Sequence, residues 1–212
     1  RNFMAVLTSK EILERIKEGS IAFSPGLDKF QMQAHSVDLR IGFTFIVPKS
    51  SILSPEGRQA LKVDYGENRK YFDVVELESG QYFEILPGEF IGISTLERVK
   101  VPNDVMCILY PRSSINRRGL SVDLSGIIDA GFEGTLLVPV RNNTISQVIR
   151  IYPGERFCQI VFEDLVGKVD ARQSRYHKKD VVVGVLKEMN SAEERCIRKG
   201  KIKELKAKFP LN

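Results

Sequence analysis

The chain has 212 residues, of which 42 % are apolar and 28 % charged, the balance of an ordinary globular protein with one or two domains. No apolar run approaches the roughly 20 residues that span a bilayer, and no apolar segment follows the first residues, so we expect neither a transmembrane helix nor a secretory signal. Three widely spaced cysteines and only two histidines disfavour a disulfide framework and a zinc site, and favour a reducing, cytoplasmic setting.

The net charge of +5 is concentrated at one end of the chain. Residues 191–212 contain seven Lys and Arg and three Glu, a net charge of +4, which leaves +1 for residues 1–190. A nucleic-acid-binding fold usually carries its basic stripe on the folded body. We therefore expect no nucleic-acid partner and interpret the basic tail as a solvated helix face, with a protein or nucleic-acid contact of a regulatory protein as the alternative.

The first predicted element is a short helix over residues 9–18. Thr8 and Glu11 have the spacing of a capping box, which satisfies backbone N–H groups at the start of a helix. Apolar residues then recur on one helical face, as at Ile12 and Ile16.

From about residue 36 to 165 the pattern changes to short apolar runs, rich in β-branched and aromatic residues and bounded by Gly, Pro, Asn and Asp. Many short strands at this spacing predict an all-β barrel or sandwich rather than a parallel α/β sheet. The polar segment 48–70 is predicted to be an excursion between two strands. The predicted strands are Ile41–Val47, Phe72–Leu77, Phe90–Leu96, Val105–Tyr110, Leu136–Val140 and Phe157–Phe162.

One short pattern occurs twice within this region. The tetrapeptide 86–89 (LPGE) recurs at 152–155 (YPGE), each time before an apolar run. Pro followed by Gly is typical of a type II turn, because Gly adopts the positive φ that the turn requires. The repetition predicts two similar corners of one β structure, with chance recurrence of a common turn as the alternative.

The pattern is less regular beyond the last of these strands. Val181–Leu186 is predicted as one more strand, and residues 191–208 as a helix that Gly200 weakens. We therefore divide the chain into a barrel domain, residues 4–165, and a C-terminal extension with a basic helix, residues 166–212.

The densest polar cluster, residues 110–120, directly follows an apolar strand. Arginine forks and serine hydroxyls at a turn can bind phosphate oxygens, so the cluster predicts an anion site, with a solvated turn as the alternative. Its candidate phosphate-binding residues are Arg112, Ser113, Ser114 and Arg117.

Three further polar residues stand beside apolar runs. Asp129 follows two isoleucines, where a carboxylate could act as general base on water or hold a metal ion, or simply begin a turn above a core Phe132. Gln159 alternates with apolar neighbours, so its amide points either into a site or to solvent. Asp38 opens a strand, a position where aspartate is usually a turn residue.

Taken together and in this order, the segments resemble the motifs of the dUTPase and dCTP deaminase superfamily, from about Leu7 to Leu165. The opening helix and residues 86–105 resemble the deaminase branch in particular. The segments that resemble its first strand, phosphate-binding motif, uracil hairpin and fourth motif are SVDLRIG (36–42), PRSSINRRGL (111–120), GIIDAGFEG (126–134) and PGERFCQIVF (153–162).

The resemblance implies a mainly all-β fold, namely a distorted β-barrel of the dUTPase type with a short N-terminal helix and a helical C-terminal tail. It implies a homotrimer with active sites between subunits. The ligand would be a deoxyribonucleoside triphosphate, dUTP or dCTP, with Mg²⁺ as cofactor.

The resemblance also implies roles for residues on the phosphate side. Arg112, Ser113 and Ser114 would hold phosphates, and Arg117 matches an arginine of the deaminase branch. Gln159 would contact a phosphate or the neighbouring serine.

On the nucleoside side, the resemblance implies that Asp129 lies near the sugar and the attacking water. Ile128 and Phe132 would contact the sugar and the base, with the Phe132 ring stacked beneath the deoxyribose to disfavour a 2′-hydroxyl. Asp38 would reach a metal ion only through a water molecule.

One departure from the family pattern separates the possible activities. dCTP deaminases carry a Glu ten residues after the motif aspartate, and the corresponding position here is Pro139, which cannot transfer a proton. Glu133 is near in sequence but is predicted to lie in the hairpin turn. The sequence therefore favours a Mg²⁺-dependent dUTP diphosphatase. The alternatives are a nucleotide-binding regulator without turnover, and a dCTP deaminase, which Pro139 disfavours.

Overall fold

The computed structural model describes residues 5–63, 71–123, 126–169 and 191–210. Their secondary structure is mostly β. In chain order the elements are α1 (Ser9–Lys17), β1 (Ala22–Ser24), β2 (Val37–Pro48), β3 (Ser51–Ser54), β4 (Gly57–Ala60), β5 (Phe72–Glu76), β6 (Phe83–Ile85), β7 (Phe90–Lys100), β8 (Val105–Pro111), α2 (Ser113–Asn116), β9 (Leu120–Val122), β10 (Ile127–Ile128), β11 (Glu133–Asn142), β12 (Ile149–Ile151), β13 (Arg156–Asp164), α3 (Ser191–Arg198) and α4 (Ile202–Lys208).

Helix α1 forms where the capping pattern predicts it. The Glu11 carboxylate accepts a hydrogen bond from the backbone N–H of Thr8 (3.1 Å), and Ile12 is fully buried. Arg15 joins the helix to the barrel through ion pairs with Asp104 (3.0 Å) and Asp164 (3.1 Å).

Nine strands form one antiparallel, curled sheet. Seven of them follow the order β10-β8-β13-β2-β7-β11-β9, while β1 pairs with β7 and β5 pairs with β2. The side chains that point inward from the long strands form the core, which includes Phe45, Phe157 and Phe162. This architecture confirms the predicted all-β, distorted-barrel fold class.

All six predicted strands are present, and five of them are longer than predicted. Polar residues at the ends of a strand extend the backbone ladder without contributing to the apolar pattern, as Asp38 does in β2. The strands that the pattern misses have only two to four residues, too few to show alternation.

The repeated Pro-Gly pattern forms two equivalent corners, as predicted. In the first, the N–H of Glu89 binds the carbonyl of Leu86 (3.0 Å) and the Glu89 carboxylate accepts from the Leu86 N–H (2.8 Å). Tyr152 and Glu155 make the same two bonds, at 3.1 and 3.0 Å. Gly88 and the equivalent glycine of the second corner both have positive φ, 75° and 94°.

The chain divides into two compact units. The barrel lies in the first, formed from Arg1–Pro48 and Phe72–Gly184, and the second is formed from Lys49–Tyr71 and Val185–Asn212. The polar excursion forms the hairpin β3–β4 in the second unit. The division predicted at residue 165 stays a prediction.

The C-terminal tail is helical as predicted, but it forms two helices, α3 and α4, instead of one. Gly200 adopts φ 69°, and its N–H binds the carbonyl of Ile197 (2.9 Å), a conformation that ends a helix. The predicted strand Val181–Leu186 lies outside the described residues. Among the residues that are described, no helix combines the length and apolar character needed to cross a membrane.

Candidate functional site

The predicted phosphate-binding residues lie on a tight turn at the end of β8. Arg112 is extended (φ −76°, ψ 130°) and leads into α2, which is a single helical turn. Ser113, Ser114 and Arg117 are exposed, and within the described residues the Arg117 guanidinium makes no ion pair or hydrogen bond. Gly119 closes the turn at φ 90°. Three hydroxyl or guanidinium groups are thus available to an anion.

The Arg112 side chain is held by residues of two other strands. Its Nε lies 3.0 Å from Oδ2 of Asp38 on β2, and its Nη1 donates to the carbonyl of Arg156 on β13 (3.2 Å). Its backbone N–H binds the carbonyl of Phe157 (3.1 Å). Unlike the Arg117 side chain, the Arg112 side chain is therefore anchored by contacts with other strands.

Asp38 is a buried carboxylate, 2 % exposed, between two arginines. Its Oδ2 lies 3.0 Å from Arg112 Nε and 3.1 Å from Arg156 Nη1, and it accepts a third contact from Gln33 Nε2 (3.3 Å). Burial raises the pKa of Asp38, while Arg112 and Arg156 act in the opposite direction. The water-mediated metal contact implied by the resemblance fits this setting poorly, because the two guanidinium groups beside the carboxylate would repel a cation.

Gln159 also faces the phosphate turn, but its amide is engaged within the protein. Its Oε1 accepts from the buried Ser36 hydroxyl (3.0 Å), and its Nε2 donates to the carbonyl of Pro111 (3.2 Å). Gln159 therefore holds the residue that precedes Arg112. Ser36 and Arg156 lie within the motifs, but the sequence analysis assigns them no role. Their closeness in sequence to Asp38 and Gln159 was the signal that could have indicated a contact with the site.

Asp129 lies in the hairpin turn between β10 and β11, with its side chain exposed. The Phe132 N–H binds the Asp129 carbonyl (3.1 Å), and Gly131 adopts φ 78° between them. This positive φ favours glycine at residue 131, where an added Cβ would also lie 2.7 Å from Oδ1 of the Asn103 side chain. This backbone presents the Asp129 carboxylate to solvent.

The two apolar residues beside Asp129 are largely buried, Ile128 at 6 % and Phe132 at 7 % exposure. The Phe132 ring covers Gly134, where an added Cβ would lie 3.0 Å from the ring. Phe132 is thus a core residue within one chain, with only a small surface for a sugar.

Position 139 offers no group for proton transfer. Pro139 lies in β11 opposite Gly92, and its carbonyl accepts from the Asp123 N–H (2.9 Å) just beyond the end of β9. The missing N–H of Pro139 would face the carbonyl of the same residue, Asp123, so proline costs the ladder one bond where it ends. Glu133 is the first residue of β11, rather than a turn residue, and pairs with Arg98 (3.1 Å). Six residues separate it from Pro139, about 20 Å along a strand.

The phosphate turn and the Asp129 hairpin stand at opposite ends of β8. Ile128 pairs with Cys107, which places Asp129 level with Met106, whereas Arg112 follows the last residue of the strand. Six residues of strand correspond to about 20 Å. The structure therefore brings together Arg112, Asp38 and Gln159, but it does not bring Asp129 or Phe132 to them within one chain.

Comparisons with known proteins agree with these motifs. A family model described as dCTP deaminase-like matches residues 6–165. A Methanobrevibacter smithii protein named dCTP deaminase, dUMP-forming, is 33 % identical over 185 residues, covering 82 % of this chain and 91 % of that protein. A Sulfurihydrogenibium protein of the same name is 37 % identical over 160 residues, 74 % of this chain and 82 % of its own.

A solved structure shows the same fold. It is the 2′-deoxycytidine 5′-triphosphate deaminase of Agrobacterium tumefaciens, with a TM-score of 0.57 and 23 % sequence identity over 77 % of this chain. The match spans half of that longer chain. With its mostly β fold and a family model that covers most of its length, this chain belongs to the dCTP deaminase-like family of the dUTPase and dCTP deaminase superfamily.

Proposed function

We propose that this protein hydrolyses dUTP to dUMP and pyrophosphate, taking the nucleotide as its magnesium complex. One observation carries the proposal. The chain keeps the arginine-serine turn and the exposed Asp129 of its family, while Pro139 occupies the position where a deaminase has its glutamate. Hydrolysis at phosphorus uses the groups that are present and does not need the one that is missing.

Hydrolysis of dUTP requires neutralisation of the triphosphate charge and an oriented water molecule. Arg112, Ser113 and Ser114 bind the phosphate oxygens, where cationic and hydroxyl donors offset the negative charge of the triphosphate. Asp129 orients water for attack at the α-phosphorus and takes its proton, and pyrophosphate leaves. Arg117, exposed on the same turn, adds a second cation.

In this proposal Mg²⁺ binds as part of the nucleotide complex. The described ranges contain no group of three or more His, Cys, Asp or Glu side chains placed to hold a metal ion. In nucleotide sites Mg²⁺ usually takes most of its ligands from phosphates and water, with one or two carboxylates. Asp38, buried against two guanidinium groups, is poorly placed to be such a carboxylate, so in this proposal the phosphates and water supply the ligands of Mg²⁺.

The site requires two copies of the chain. About 20 Å of β8 separate Arg112 from Asp129 in one subunit, whereas a nucleoside triphosphate must touch both at its α-phosphate. We therefore place the phosphate turn of one subunit against the Asp129 hairpin of the next, in a closed cyclic homotrimer. Ile128 and Phe132 contribute the small apolar surface beneath the deoxyribose.

The names of the relatives favour a second candidate, the conversion of dCTP to dUMP. This reaction needs a proton-transfer group at cytosine C4, and Pro139 supplies none. Asp123 is the acidic residue directly opposite Pro139 across the β9–β11 ladder, so it is the residue to replace if deamination is observed. Nucleotide binding without turnover is the third candidate.

The test is to incubate the purified protein separately with dUTP and dCTP in the presence of Mg²⁺, and to resolve the products by chromatography. The proposal predicts dUMP and pyrophosphate from dUTP and unchanged dCTP. The Asp129→Asn variant, purified in parallel, controls for contaminating phosphatases. Formation of dUTP or dUMP from dCTP would establish the second candidate, and binding of dUTP without products the third.

A further inference from the structure

We propose that Asp38 is a positioning residue that fixes the Arg112 guanidinium beneath the triphosphate, and that it does not hold a metal ion. This inference rests on the proposed function, since it assumes that Arg112 binds phosphate. It assigns the buried carboxylate of the first strand a role toward another side chain of this protein.

The contacts of Arg112 divide its guanidinium into an anchored side and an open side. Nε faces Asp38 Oδ2 at 3.0 Å, and Nη1 donates to the Arg156 carbonyl at 3.2 Å. Within the described part of the chain Nη2 has no hydrogen-bond partner. The side chain is thus held at two nitrogens and presents the third, with two N–H donors, to a ligand.

The same two strands hold the backbone at this point. Asp38 on β2 and Gln159 on β13 are directly paired in the ladder. Gln159 binds the carbonyl of Pro111, while Asp38 pairs with the side chain of Arg112. One cross-strand pair therefore fixes both the start of the phosphate turn and the direction of its first arginine.

The local charge balance favours anion binding over metal binding. Asp38 faces two guanidinium groups, those of Arg112 and Arg156, so the cluster keeps one positive charge in excess. The neighbouring Arg40 is balanced separately by Asp28 (2.6 Å). A divalent cation at Asp38 would meet two arginines, whereas a phosphate would meet their uncompensated charge.

Pre-organisation of the Arg112 side chain by Asp38 favours phosphate binding. An arginine that is free to rotate loses side-chain entropy when it binds a ligand, and an arginine already held by Asp38 has lost most of it on folding. Releasing Arg112 should therefore weaken phosphate binding by between about twofold and tenfold. The effect should appear in affinity and KM more than in kcat, because Asp38 touches neither the attacked phosphorus nor the water.

The experiment measures the Kd of the imido analogue dUpNHpp with Mg²⁺ by calorimetry, and the KM and kcat for dUTP, in four proteins. They are the wild type, Asp38→Asn, Arg112→Gln and the double variant. We expect Asp38→Asn to raise Kd and KM by the factor above and to have no further effect in the Arg112→Gln background. Additive effects in the double variant would overturn the inference, because Asp38 would then act independently of Arg112.

Glu97→Gln is the matched control. Glu97 is another buried carboxylate, 1 % exposed, which binds Gln31 and the backbone N–H of Arg40 but does not contact Arg112. Its replacement should leave the Kd of the analogue unchanged. If Glu97→Gln weakens binding as much as Asp38→Asn does, loss of any buried carboxylate suffices and the positioning role is refuted.

A second variant keeps the inference testable if Asp38→Asn does not fold. Arg112→Lys retains the positive charge but cannot bind Asp38 and the Arg156 carbonyl together. It should weaken binding of the analogue nearly as much as Arg112→Gln does, and wild-type affinity in Arg112→Lys would contradict the inference. Absence of analogue binding by the wild type would overturn the proposed function and this inference together, whereas wild-type turnover with unchanged Kd in Asp38→Asn would overturn this inference alone.

Discussion

Phe132→Ala tests whether the aromatic residue of the Asp129 hairpin is a structural part of the barrel. The ring is 7 % exposed, belongs to the main core and covers Gly134. Truncating a buried phenylalanine to alanine removes its apolar burial and leaves a cavity, which together cost about 3–5 kcal/mol. For a domain stable by about 5–15 kcal/mol, this is a large fraction of the free energy of unfolding.

Urea unfolding followed by circular dichroism measures the effect. With a slope of about 2 kcal/mol per molar urea, a loss of about 4 kcal/mol lowers the midpoint by roughly 2 M. Phe30→Ala is the control, because Phe30 is 58 % exposed and its truncation should change stability by less than about 0.5 kcal/mol. A loss below about 1 kcal/mol in Phe132→Ala would refute the assignment of Phe132 to the core.

Three further predictions concern the site and the polar core. Asp129→Asn should abolish most dUTP turnover while dUpNHpp binding is retained, and unchanged turnover would remove the role given to that carboxylate. Asn142→Ala should lower the free energy of unfolding by roughly 2–4 kcal/mol, because the buried Asn142 amide donates to two backbone carbonyls (2.9 and 2.7 Å) that would lose their partner. Asn143→Ala, at an exposed position, is the control. Equal urea midpoints for the two variants would contradict the prediction. Burial raises the pKa of Glu97 above its ordinary value near 4.5. Its hydrogen bonds from the Arg40 N–H and the Gln31 amide, together with the Arg40 charge, act in the opposite direction. The stability that the neutral carboxyl contributes is therefore full below about pH 4.5 and is lost as pH rises through the raised pKa. The free energy of unfolding of the wild type relative to Glu97→Gln should therefore fall as pH rises above about 4.5, and a difference that stays constant with pH would contradict the raised pKa.

The parts of the fold that are periodic in sequence were predictable. Alternating apolar residues in long strands such as β7 and the capping pair of α1 are local signals, and their elements occur where the pattern places them. The two Pro-Gly corners are equally local. The pairing of β2 with β13 depends on the three-dimensional path of the chain, which periodicity does not describe, whereas the break of the tail at Gly200 has a local signal in the glycine itself.

The candidate site was predictable as a set of residues but not as an arrangement. The motifs name Arg112 and Asp129 without showing that one strand separates them by about 20 Å. They place Asp38 at the start of a strand, where aspartate is usually solvated, but sequence spacing cannot show that Arg112 and Arg156 converge on it from two other segments. Long-range ion pairs of this kind are fixed by strand register.

Co-expression of two inactive variants tests most directly whether the site is shared between subunits. Arg112→Gln damages only the phosphate turn and Asp129→Asn only the hairpin, so each variant by itself should have little dUTP turnover. If each site takes its turn from one subunit and its hairpin from the next, co-expressed chains assembled at random should contain both intact halves in about a quarter of their sites, and about a quarter of wild-type activity should return. Size-exclusion chromatography of both variants confirms that they still assemble. No recovery of turnover in mixed oligomers would contradict a site built from Arg112 and Asp129 of neighbouring chains.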